Sequence, residues 1–261
     1  MDSHDRVDTD PTSPAEHGGP DLARRQALAK IGIGGALVWS APLISATAHA
    51  QTVPSGCFLR TLDWSTFTLG STFTSTTVGG VTVSLSSTFG TNTTAQTGNR
   101  TIVAGPQGGL SGQFLRLNQT ARNNTNNGQT VTFTFSKPIT GLSFTITDID
   151  NLNNGWSDRI QVNTAGFGYT VPPGSSVIGI GEAGNGTGGD TTDGNGGSNT
   201  GTGSFRNSVN SFNFLPADDD GNLTLTHPGP ITSFSFRFWC GNVQGSNQLI
   251  NISNLRFIEC P

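Results

Sequence analysis

The sequence predicts an all-β protein: a two-sheet antiparallel β-sandwich of the jelly-roll or Greek-key type. Three observations predict it. Apolar and polar residues alternate with a period of two in many short runs, such as "VTFTFS" and "FSFRFW". Turn-forming residues separate these runs, and Gly alone numbers 36 in 261 residues. No stretch beyond residue 50 has helical periodicity. Many strands without helices bury their apolar faces best in two packed antiparallel sheets.

Strands are expected, in order, near 57–62, 80–86, 100–104, 113–118, 129–136, 140–148, 158–164, 167–171, 209–215, 222–227, 231–240 and 249–258. Each is a short run of β-branched, aromatic or aliphatic residues between turn signals. "NFLPADDDGNLTLTH" reads as a hairpin with Asp220-Gly221 at its tip. Residues 233–240 and 249–258 read as the arms of another, with Cys240 opposite about Ile250. "FTFSKPITGLSFTITDID" and "LTLTHPGPITSFSFRFWCGN" share strand, Pro-Ile-Thr, strand, a short internal echo. Residues 181–204 form a Gly-rich insertion without an apolar anchor, expected to be a mobile surface loop.

The first fifty residues differ in kind. Polar residues 1–20 precede Arg24-Arg25, an apolar stretch from Ile31 to Ile44, and Ala48-His49-Ala50. That order is an n-region, an h-region and a small-x-small cleavage site after Ala50. The apolar run is Gly-rich and interrupted by Pro42, which argues against a permanent membrane span. "ARRQALAK" resembles the bacterial twin-arginine export signal, with paired Arg, Leu three positions on, then Lys. The resemblance implies export of a folded, secreted protein, so the chain divides into 1–50 and a single domain, 51–261.

An exported context permits disulfides. Of Cys57, Cys240 and Cys260, the first opens the first strand and the last closes the final one. Terminal strands are often neighbours in a sandwich, so Cys57–Cys260 is the expected pair and the state of Cys240 stays open.

The formal net charge is −4 and charged residues make up 11% of the chain. That balance excludes the basic patch a nucleic-acid binder needs. Enzyme signals are sparse. Beyond residue 50, His227 is the only histidine, and Glu182 and Glu259 are the only glutamates. A glycosidase pair would have to be built from aspartates.

The segment "FTITDIDNLNNGWSDRIQV", 144–162, holds the densest chemistry. Asp148 and Asp150 continue the parity of Phe144 and Ile146, and Asp158 shares that of Ile160 and Val162. If the parity holds, three carboxylates face one rim of the core and need compensation: a cation, backbone N–H groups, or an arginine such as Arg159. Hard oxygens, with the amides of Asn151 and Asn153 nearby, suit Ca²⁺. If strand regularity stops at Thr147, the segment is a polar turn. Trp156 is placed to stack on a sugar ring at the rim, or to fold back onto the core. Arg237 and Trp239 share the face of their strand opposite to the Phe row, and form a second patch if that face is open.

"GLSFTITDIDN" with its "DRIQV" return, and the closing "ITSFSFRFW…NISNLRF", resemble the secreted jelly-roll modules of bacterial surface and carbohydrate-binding proteins. The resemblance implies a secreted, non-enzymatic binding or adhesion module for a glycan or cell-surface partner, often with structural calcium. A structural envelope or matrix protein and an aspartate-dependent glycoside hydrolase are the competing readings.

Overall fold

The computed structural model describes residues 53–120, 128–151, 157–180, 204–207, 215–240 and 248–261. All lie in one compact unit, Ala50–Pro261. The expected export signal and most of the Gly-rich insertion fall outside the described residues.

The described chain is all-β apart from a single 3-10 turn, Trp64–Thr66. Its strands are β1 (Phe58–Leu62), β2 (Ser75–Val78), β3 (Val81–Phe89), β4 (Thr94–Ala95) and β5 (Thr101–Ala104). Next come β6 (Gln113–Thr120), β7 (Gln129–Thr147), β8 (Asp158–Val162), β9 (Gly168–Thr170) and β10 (Val177–Ile180). The last are β11 (Ser204–Asn207), β12 (Leu223–His227), β13 (Ile231–Cys240), β14 (Gln248–Ile252) and β15 (Leu255–Glu259). No helix among the described residues is long and apolar enough to cross a membrane.

Every pairing is antiparallel, and hydrogen bonds join all the strands into one curled sheet. The curl comes from β7, where the sequence predicts two strands and the structure has one. Its first half pairs with β3 and β13, and its second half with β12, β15 and β14. The change falls at Pro138. Proline has no N–H to give a ladder, so β3 pairing ends at Phe135 and β15 pairing begins at Ile139. The two Pro-Ile-Thr segments lie side by side here, with Ile231 opposite Ile139.

The inner faces of the two halves meet over stacked aromatics. Phe234 of β13 lies 4.9 Å from Phe133 and 5.1 Å from Phe144, between ring centroids. Phe135 packs on Phe257 of β15 at 5.6 Å. Burying rings from both halves at once is what closes the curl.

Two expected pairings and one expected strand differ. β13 pairs with β7 and β8, not with the 249–258 segment, so Cys240 lies opposite Asp158. That segment is itself two strands, β14 and β15, broken at Ser253-Asn254. Ser253 there serves the fold by accepting Trp64 Nε1–H at its carbonyl, 2.9 Å. Finally, both edges of β12 are taken by β7 and β9, so Asp220-Gly221 is not the tip of a hairpin ending in β12. Most of the expected 209–215 strand lies outside the described residues.

Cys57 and Cys260 form the expected disulfide, and Cys240 is buried outside it. The disulfide staples β1 to β15, the only strand partner of β1 among the described residues. Beside it Glu259 takes Arg60 Nε at 2.7 Å and Lys137 Nζ at 2.6 Å, with the Gly80 N–H at 3.1 Å. The Gly79-Gly80 turn is required, since a Cβ at either position would run into the Arg60 or Glu259 side chain, and Gly79 has φ +60°.

Hydrogen bonds from Lys137, Arg60 and Gly80 hold the Glu259 carboxyl at about 2. A depressed carboxyl stabilises the fold above its unfolded-state value, so this contribution is lost as pH falls from about 4.5 toward 2. In Glu259→Gln that acid limb should flatten in a pH series of urea midpoints. An unchanged limb would show that other groups carry it.

Candidate functional site

β7 ends at Thr147, and Asp148 takes φ +71°, a left-handed conformation Asp tolerates better than most residues. Strand parity therefore does not extend to Asp148 and Asp150. The segment is drawn inward all the same. Ile149 is fully buried and its N–H reaches Gly221 O at 3.1 Å. Asn151 bridges Ser157, and the Asp158 N–H donates to Asp150 O at 2.9 Å. Asn153 and Trp156 lie outside the described residues.

Asp150 and Asp158 are thus buried side by side, 4% and 1% exposed. Asp158 accepts Gln248 Nε2–H at 3.1 Å on one oxygen and the Asp150 N–H at 3.4 Å on the other. Burial, then the Asp150 charge, then a side-chain hydrogen bond with Asp150, push the Asp158 carboxyl well above the usual range; Asp148 and Cys240 add to this. Asp148 is raised to about 7 by burial and by Asp150, against the opposing pull of Arg116. Asp158 is thus compensated by the Gln248 amide, the Asp150 N–H and a side-chain hydrogen bond with Asp150. No group of three His, Cys, Asp or Glu among the described residues is arranged to hold a metal ion.

The pair belongs to a larger feature that the sequence reading missed. Core-facing rows on several strands end in a polar group or thiol at this end of the fold. Leu115 and Leu117 on β6 lead to Gln119; Phe133 and Val131 on β7 lead to Gln129. Val162 and Ile160 on β8 lead to Asp158, Phe236 and Phe238 on β13 to Cys240, and Ile252 and Ile250 on β14 to Gln248. Gln119 and Gln248 are register partners, and both reach across to the other half of the sheet. Gln119 Nε2–H donates to Phe238 O at 2.9 Å, as Gln248 does to Asp158. Gln129 Nε2–H donates to Ser87 Oγ at 3.0 Å. The amide oxygens of all three glutamines are buried and accept no hydrogen bond among the described residues. Extending the period-two rule along "LRLNQ", "QTVTF" and "QLINI" would have found this layer.

The other expected residues are placed differently. Trp239 is fully buried, with Arg237 half-buried and its guanidinium carbon 5.3 Å from the Trp239 ring centroid. That end of the outer face is covered, so Trp239 packs rather than offering an open platform. His227 is held by two turns. Its Nδ1 accepts the Gly229 N–H at 2.9 Å, which leaves Nε2–H to donate to Ala165 O at 3.1 Å. Its ring packs on Phe167, so it is a structural clasp. A surface groove of about 340 Å³ lies among Lys137, Pro138, Pro230 and Pro261; of the expected site residues it holds only the disulfide cysteine Cys260.

No known family model matches the chain, and no curated protein or solved structure is detectably similar to it. The architecture is that of a largely non-helical domain consistent with a non-catalytic structural or binding role.

Proposed function

We propose that the chain is a secreted, non-enzymatic binding or adhesion module for a glycan or cell-surface partner, exported through its twin-arginine signal. The burial of the chemical groups carries this reading. Asp150 and Asp158 lie under the surface, His227 is tied to backbone, and Glu259 is locked between two cations. A hydrolase needs its acid and base within reach of substrate. We read the curled sheet as a sandwich of the jelly-roll kind, supported by the aromatic contacts between its halves.

Within this reading Trp156, which lies in the sequence between Asp150 and Asp158, supplies the stacking surface. Calcium, if it is the native occupant, draws on Asp148, Asp150, Asp158, Asn151 and Asn153. A glycan array with the wild type and Trp156→Ala tests the rim: the variant should lose the wild-type signals by about tenfold, the scale of one lost aromatic contact of 1–2 kcal/mol. Equal signals for both proteins would refute the role of Trp156. A silent wild type would leave the structural envelope or matrix reading in its place.

A further inference from the structure

One solvent-facing surface of the sheet is paved with hydroxyls. On β3 the outward positions are Thr82, Ser84, Ser86 and Thr88. On β7 beside it they are Thr130, Thr132, Thr134 and Ser136. β2 adds Ser75 and Thr77 at one edge, and β13 adds Ser233 and Ser235 at the other. These positions are in register. Ser75, Ser84, Thr134 and Ser233 form one row across four strands, and Ser86, Thr132 and Ser235 form the next. All are exposed or half-buried, while the residues between them, such as Val83, Leu85, Val131 and Phe133, are core.

The internal structure uses few of these hydroxyls. Thr77 and Thr82 bond each other at 3.1 Å, and Ser136 Oγ accepts the Thr82 N–H at 2.9 Å. Across the centre the one internal bond is Ser84 Oγ–H to Thr134 O, at 3.5 Å. The rows carry no charge until Arg237 closes the third, after Thr88 and Thr130. The chain has 13 basic and 17 acidic residues, and Arg237 is the one charged residue in these rows.

We infer that this Ser/Thr face is a docking surface for a neutral polysaccharide, bound face to face by its repeating hydroxyls. The inference rests on the glycan reading above but moves the contact from the Trp156 rim to the sheet face. Strand geometry repeats the hydroxyls at about 4.8 Å across strands and about 6.8 Å along them. Each hydroxyl both donates and accepts, as a sugar hydroxyl does, and the threonine methyls meet the C–H faces of sugar rings. Neutrality on both sides is the charge complementarity, because across the first two rows an ionic partner would find nothing to pair with. The face covers about 450 Å², well under the roughly 800 Å² each partner buries in a stable protein complex. A second copy is therefore a poor occupant, whereas a polymer adds weak contacts repeatedly along its length.

The test is co-sedimentation of the full chain with microcrystalline cellulose and with crystalline chitin. Variants Ser86→Lys/Thr134→Lys and, on another outer face, Thr170→Lys/Thr226→Lys are compared after circular dichroism shows both folded. Wild type should bind at least one polymer, equally at low and high salt. The Ser86/Thr134 variant should bind about tenfold more weakly, and the Thr170/Thr226 variant like the wild type. Binding lost through Trp156→Ala but unchanged in Ser86→Lys/Thr134→Lys overturns this inference and leaves the rim reading standing. A wild type that ignores both polymers yet lights the glycan array does the same, and one silent in every assay ends both. A dimer dissolved by the Ser86/Thr134 substitutions, seen in sedimentation velocity, assigns the face to a second copy and overturns the inference.

Discussion

Reducing the Cys57–Cys260 disulfide, or replacing both cysteines by serine, is expected to lower stability by about 5 kcal/mol, the value that loop entropy gives for a long closed loop. The two cysteines are 203 residues apart, so the bond closes nearly the whole domain into one ring. The folded state has a local reason to need it as well. Among the described residues β1 has a single strand partner, β15, and three of its five residues, Phe58, Leu59 and Thr61, face solvent. Beyond β1 the chain is pinned again by Trp64, whose N–H reaches Asn254 Oδ1 at 2.9 Å and whose ring is fully buried. Without the disulfide, amide exchange should rise first at Phe58–Arg60 and stay slow at Trp64. Urea melts with and without dithiothreitol give the global figure. Coincident midpoints would mean that native contacts alone hold the ends together.

That pairing was legible in the sequence because it needed only the two chain ends to be neighbouring strands. The period-two runs likewise placed most of the strands and the all-β class. What was not legible came from one residue acting on long-range partners. Pro138 reads locally as a break between two strands, yet β7 continues through it and changes partners on both sides. The 233–240 and 249–258 runs read as a hairpin because they are adjacent in sequence. Their real partners are β7 and β8 for the first run and β6, β7 and β1 for the second, set by which apolar faces meet across the core. The candidate site was half legible. Asp158 keeps the inward parity of β8, but Asp150 reaches the interior through the Ile149 anchor and a left-handed Asp148. Gln119, Gln129 and Gln248 were passed over because glutamine at a strand end reads as solvated surface, and only three-dimensional register shows them sealing the core.

In metal-free buffer the protein should be most stable near pH 4 to 5 and lose stability as pH rises toward 7. Asp148 and Asp158 hold protons in the folded state that the unfolded chain releases near 3.8. A carboxyl raised in the fold favours unfolding progressively from the unfolded value up to the folded one, and the loss is complete above it. For Asp148, raised to about 7, that amounts to about 4 kcal/mol by the time the folded group ionises. Asp158 acts in the same direction. Asp158→Asn keeps the shape and an oxygen for the Gln248 amide while removing the titration, so it should raise the urea midpoint at pH 8 and change little at pH 5. Asp158→Ala should be destabilising by about 1–3 kcal/mol at either pH, because it strands the Gln248 amide in the core. The same pair of proteins separates a proton from a cation as the natural compensation. If Ca²⁺ replaces the proton, millimolar CaCl₂ at pH 8 raises the wild-type midpoint, as any ligand of the folded state must, and leaves Asp158→Asn where it was. If the proton is the only occupant, CaCl₂ moves neither protein and the pH profile stands unchanged. A wild-type midpoint flat from pH 5 to 8 in chelator would show that Asp148 and Asp158 ionise freely, and the raised carboxyls of this buried cluster would have to be given up.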